Sequence, residues 1–230
     1  FVTLSLKHLN SDKIKKRFPF IYENCAKSGV DMSIEVPVAP AAHYMVGGIK
    51  TGLDGETNIK NLYACGEIAS TGVMGANRLA SNSLIECLVF GKRAIDHARQ
   101  SKPNDNKNKL NKTSMYTNTN LESLFIQYKN TLADEMNAKV GIIRNKKELT
   151  EIITHLESIE HTFPFEECEY YSLRLQNLMK VCYLLTKAAL SRQESRGGHF
   201  REDFPKQESK FLTHSIQQIN KEICFIPINN

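Results

Sequence analysis

The sequence predicts a mixed α+β / α/β chain: a hairpin, a strand and a helix in its first half, then a bundle of three helices. Three observations lead there. Residues 40–91 alternate short apolar runs with small-residue turns, and the last turn opens onto a helical pattern. Residues 102–120, KPNDNKNKLNKTSMYTNTN, are polar, rich in asparagine and almost free of apolar side chains, as a linker is. From Leu121 onward, apolar residues recur at helical spacing in three long runs.

The elements follow in order. Residues 1–6, FVTLSL, read as a strand. Ser11 and Asp12 are placed to cap a helix containing Ile14 and Phe18, and Pro19 suits the start of a second helical segment that runs to Cys25 and stops at Gly29. Pro37 and Pro40 exclude helix over residues 35–40 and predict an extended connector. A strand over residues 45–51 should reverse at Leu53-Asp54-Gly55-Glu56, where Asp-Gly supplies positive φ, and return as a buried strand over residues 61–65. Helix is expected over residues 83–100, with Leu84, Leu88, Ile95 and Ala98 on its apolar face. In the second half, Leu121, Leu124, Phe125, Tyr128, Leu132 and Met136 share one face, and a break at Val140-Gly141 separates them from Leu149, Ile152, Ile153, Leu156 and Ile159. Tyr171, Leu175, Leu178, Cys182, Leu185 and Ala189 form the third register. Three amphipathic helices with short joins predict a bundle.

Composition narrows the function classes. A chain of 230 residues with 41% hydrophobic content can bury a real core. The net charge of +5 comes from 30 basic and 25 acidic residues scattered without a dense basic face, which argues against nucleic acid as a partner. No apolar run approaches the ~20 residues of a membrane helix. Cysteines 25, 65, 87, 168, 182 and 224 contain no CxxC pair and no zinc-type cluster, so no metal site is expected and the thiols are read as reduced and buried. These features predict a soluble, cytoplasmic protein. The chain begins at Phe1 within a strand-like run, which reads as a fragment.

The chemistry gathers in residues 40–91. The first amides of a helix favour negative charge, so whatever rests against Asn82, Ser83 and Leu84 should be electron-rich. Arg78 carries a rigid fork suited to a carboxylate, although a loop arginine can equally pair with Glu67 or Glu86. His43 offers a second charge-assisted donor, or else a structural hydrogen bond. Glu67, just past an expected strand, sits where α/β sheets place ligands, or simply caps a turn. Asn77 reads as a loop-shaping amide.

The stretches PAAHYMVGG, NLYACGE and GANRLASNSL resemble the flavoprotein family of succinate dehydrogenase, fumarate reductase and L-aspartate oxidase, and AAHY with LASNSLIECL is most similar to the last branch. The resemblance continues through RQESRGGHFREDFP. It implies the tail of a capping domain at residues 1–35, the C-terminal part of an FAD-binding domain at 36–101 and a C-terminal helical domain at 121–230. It also implies that His43 and Arg78 hold substrate carboxylates, that Glu67 accepts a ribityl hydroxyl of FAD, and that Asn82, Ser83 and Leu84 meet the flavin's pyrimidine edge. The substrate would be L-aspartate or another small dicarboxylate, with O2 or fumarate as electron acceptor, in the formation of quinolinate for NAD synthesis.

Two further points bear on this. No GxGxxG occurs in the 230 residues, so the pyrophosphate cradle of an FAD enzyme would lie outside them and the piece alone is expected to be inactive. Arg196, His199, Arg201 and Asp203 cluster around Gly197-Gly198, and are expected to form a buried ion-pair lock between bundle and flavin domain. A non-enzymatic helical interaction module is the alternative that residues 121–230 alone would suggest.

Overall fold

A computed structural model describes residues 2–39, 43–101, 114–218 and 221–228. Two compact units divide the chain, Phe1–His43 and Tyr44–Asn230. In the first, β1 (Val2–Ser5) pairs antiparallel with β2 (Glu35–Val38), with Val2 opposite Val38 and Ser5 opposite Glu35. The expected connector is thus a strand. Between them run α1 (Ser11–Arg17) and α2 (Pro19–Lys27). The α1 cap is Asn10, not Ser11 or Asp12: its Oδ1 accepts the Lys13 amide at 3.0 Å, satisfying an otherwise orphan donor. Gly29, at φ 74°, ends the pair of helices as the sequence suggests.

The second unit opens differently from the expected hairpin. Only β3 (Ile49–Lys50) is strand, and it pairs in parallel with β4 (Ala69–Ser70). The run 61–65 contributes a single antiparallel bridge, Tyr63 to Glu56. Positive φ at Gly47, Gly48 and Asn61 interrupts both expected strands, because a ladder cannot continue through a left-handed residue. The reversal itself is present, with Gly55 at φ 74° and its would-be Cβ hard against the Ala94 side chain at 3.2 Å. That excursion packs on α3 (Asn82–Gln100), held by Tyr63 Oη to His97 Nδ1 at 2.9 Å and Arg93 Nε to Asp54 at 3.2 Å.

The buried face of α3 is therefore Glu86, Phe90 and Ala94. Leu84 and Leu88, expected inside, are 69% and 68% exposed, and Ile95 is exposed as well. Periodicity marks an apolar face correctly but does not say that this chain covers it.

The bundle matches its pattern closely. Helices α4 (Thr119–Lys139), α5 (Lys146–Thr162) and α6 (Tyr170–Ser191) enclose a core of Leu121, Phe125, Leu132, Leu149, Ile152, Leu156, Ile159, Leu175 and Cys182. Each fully buried Leu or Ile there contributes about 1.5–3 kcal/mol. Leu185 departs from its register and is exposed. A polar side chain caps each start: Asn118 accepts from the Asn120 amide, Asn145 from Glu148 and Glu169 from Ser172. Parallel β5 (Ile143–Arg144) and β6 (Phe200–Arg201) pair, and antiparallel β7 (Thr213–Ile216) and β8 (Cys224–Pro227) finish the described chain. Of the cysteines only Cys182 is buried; Cys65 and Cys224 are exposed, and all six are free thiols. Expected as core, Cys65 is exposed, although its Sγ lies near Gly91 of α3. Among the described residues no helix is long and apolar enough to cross a membrane.

Candidate active site

Left-handed Gly66 starts a 3-10 turn, Gly66–Ile68, that sets Glu67 at the surface. One carboxylate oxygen of Glu67 accepts the Met45 amide at 2.8 Å, tying two distant stretches together, and among the described residues no donor meets the second oxygen. Gly48 permits this close approach. At φ 140°, a Cβ there would overlap the Ile68 carbonyl oxygen.

The loop after β4 returns through Arg78 to α3. Thr71 at its start hydrogen-bonds the buried Glu86 carboxylate, and Ser81 at its end adopts φ 72°. Ser81 gives α3 no side-chain cap, so the amides at the start of α3 meet no capping oxygen from it, unlike those of α4, α5 and α6. Asn82 opens the helix with its amide on Leu79 O at 3.3 Å. Half-buried Ser83 follows, then Leu84, whose side chain lies open.

Arg78 is held at this helix start. Its Nη1 donates to Ser83 Oγ at 3.1 Å, and its guanidinium lies over the Tyr44 ring at 4.8 Å, a cation–π seat that leaves other N–H groups available. Neither Glu67 nor Glu86 pairs with it: among the described residues no carboxylate lies within ion-pair distance. Burial raises the Tyr44 phenol above its usual range, and nearby Cys87, Glu86 and Glu67 add to that, so the ring stays neutral beneath the cation. Tyr44 escaped the sequence reading; its place beside His43 was its only signal. His43 itself closes the first unit and is exposed, while Pro40 and the two alanines before it lie outside the described residues.

The RGGH segment forms a second feature. Glu194, fully buried, takes Arg196 through both oxygens at 2.9 Å and Arg192 at 2.8 Å. Burial alone would raise its pKa, but the bonds from Arg196, the Glu208 amide and Arg192 outweigh that and bring it down to about 2. Buried Arg201 reaches the Ala189 and Leu190 carbonyls at the end of α6 and pairs with Asp203. His199 receives Arg144 Nη1 on Nδ1 at 2.9 Å, so its Nε2–H faces the Arg192 carbonyl at 3.0 Å. Burial pushes the imidazole's pKa down, and Arg144, Arg201 and Arg192 push it further. The bonds to the α6 carbonyls and to Arg144 fasten the segment to the bundle, and the part that reaches the loop of residues 72–77 is backbone: Gly198 N–H donates to Ala76 O at 2.9 Å.

Two family models match this chain, an FAD binding domain over residues 1–84 and a fumarate reductase flavoprotein C-terminal domain over residues 129–225. Both halves of the chain are thus similar to FAD-binding flavoproteins. Among its relatives, L-aspartate oxidase of Nostoc sp. is 36% identical over 94% of this chain and 43% of its own length, and that of Bacillus subtilis is 40% identical over 89% and 38%. The fold also matches E. coli quinol fumarate reductase with a TM-score of 0.74 and 28% identity, over 98% of this chain and 44% of that one. The chain thus spans about two fifths of the length of the curated relatives it matches.

The residues present fit one end of the family's cofactor. A helix start with no side-chain cap suits the electron-rich edge of a flavin, and the exposed Glu67 carboxylate suits a hydroxyl of its side chain.

Proposed function

We propose that this chain is the C-terminal portion of an FAD-dependent L-aspartate oxidase, which converts L-aspartate to iminoaspartate and passes the electrons to O2 or fumarate, on the route to quinolinate and NAD. The observation that carries this reading is Arg78, seated on Tyr44 and Ser83 at the open start of α3 with no protein carboxylate beside it among the described residues. Such a guanidinium binds a substrate carboxylate in forked geometry and orients the Cα–H bond of the substrate. His43 takes a carboxylate by resemblance to the family. The amides of Ser83 and Leu84, with Asn82, favour negative charge at the helix start, and Glu67 accepts a cofactor hydroxyl. FAD, when bound, supplies the two-electron acceptor chemistry. In this reading residues 1–35 end a capping domain, 36–101 finish the FAD-binding domain, 102–120 link it to the bundle, and the piece alone is inactive.

Arg78→Leu in the full-length enzyme tests this. The expected result is a fall of at least about a hundredfold in kcat/KM for L-aspartate with an unaltered flavin spectrum. Unchanged aspartate turnover would remove the substrate role. The match to a fumarate reductase fold favours one other reading, a succinate- or fumarate-handling flavoprotein with the same arginine. Turnover of succinate but not aspartate by the full-length protein would establish it.

A further inference from the structure

Residues 196–199 form a tight turn, with Arg196 N–H on His199 O at 2.8 Å and His199 N–H on Arg196 O at 3.0 Å. Its flanks are fixed on both sides: Arg196 clamps buried Glu194, and half-buried His199 sits between Arg144 and the Arg192 carbonyl. The two glycines at its tip are not equivalent. A Cβ on Gly197, which has φ 59°, would collide with the Ala76 carbonyl oxygen and lie 2.9 Å from the Ala76 methyl. A Cβ on Gly198 would meet nothing nearer than 3.9 Å.

Ala76 stands two residues before Arg78. Thr71 and Arg78 anchor the loop at its ends, on Glu86 and Ser83. Between them, among the described residues, the backbone hydrogen bond reaching residues 72–77 from elsewhere in the chain is the one from Gly198. We propose that this turn is a positioning element for Arg78, and that Gly197 is the positioning residue: its missing side chain sets how close the arginine-bearing loop lies to the bundle.

A side chain at Gly197 forces one partner to move. The turn is held by several charge-assisted bonds to buried Glu194 and half-buried His199, whereas Gly72, Val73, Gly75, Ala76 and Asn77 are exposed. Breaking a buried pair costs more than shifting such a loop. The loop therefore yields, and Arg78 moves relative to Tyr44 and Ser83.

This inference rests on Arg78 being the carboxylate-holding residue, and one experiment separates the two. In the full-length flavoenzyme, Gly197→Ala, Gly198→Ala, Arg78→Leu and the Gly197→Ala/Arg78→Leu pair are compared for KM, kcat and flavin content. Gly197→Ala should raise KM for L-aspartate about tenfold or more with flavin content unchanged, since a displacement of about 1 Å is enough for such a loss. Gly198→Ala should stay within about twofold. In the Arg78→Leu background Gly197→Ala should add nothing, because a residue acting through another is silent once that one is gone. A normal KM in folded Gly197→Ala, or a loss that multiplies with that of Arg78→Leu, overturns the proposal while Arg78 keeps its role. A silent Arg78→Leu instead overturns the functional reading. Should Gly197→Ala not fold, Ala76→Gly loosens the same contact from the loop side: a several-fold rise in KM supports the proposal and an unchanged KM overturns it.

Discussion

Within the second unit, α3 and the bundle are built from similar amphipathic patterns and end in opposite states. Helices α4, α5 and α6 bury their apolar faces on each other and cap their own starts. Helix α3 leaves Leu84 and Leu88 open and takes no side-chain cap. The bundle spends its side chains on its own stability, while α3 keeps an apolar face and a set of amides for something else. In the function proposed above, that something is in part a cofactor.

Core truncation separates these states most strongly. In the 230-residue chain, Leu149→Ala should cost about 4 kcal/mol in chemical denaturation, because Leu149 is fully enclosed. Leu88→Ala should cost under about 0.5 kcal/mol. Equal losses would mean that α3 is covered after all.

Acid should attack the bundle side next. His199 has a folded pKa below its usual 6.5, so the stability it supports is complete above about pH 6.5 and is lost as pH falls through the folded value. Glu194 follows between its ordinary 4.5 and about 2. A melting temperature that declines from pH 7.5 to 5.5, and declines less in His199→Gln, checks the first step. A flat profile would deny that neutral His199 matters.

Caps give the smallest contrast. Asn145→Ala removes the α5 cap and should cost about 1 kcal/mol. Ser81→Gly, at a left-handed position that caps nothing, should be neutral or slightly stabilising in thermal melts. A cost at Ser81 similar to that at Asn145 would erase the distinction.

The same contrast decides what was legible from the letters. Leu149, Ile152, Leu156 and Ile159 announce both a helix and its burial, because the surfaces that cover them lie in the same chain at the same period. Leu84 and Leu88 announce only the helix. The strands at 45–51 and 61–65 were overdrawn, since a run of apolar residues does not reveal that Gly47, Gly48 and Asn61 bend left-handed. Arg78 and Ser83 were readable as neighbours, being five residues apart across a helix start. The seat on Tyr44 and the contact of Gly198 with Ala76 were not, because sequence spacing carries no distance between residues 34 or 122 positions apart.

The buried Arg201 has a mechanical corollary. Its flat fork grips two carbonyls at the end of α6 and one carboxylate of the segment leaving it, three demands that the single ammonium of a lysine cannot meet from one place. What the position requires is a shape as much as a charge. The longest helix consequently terminates in a clasp rather than a frayed tip, and everything mounted beyond it inherits that stiffness.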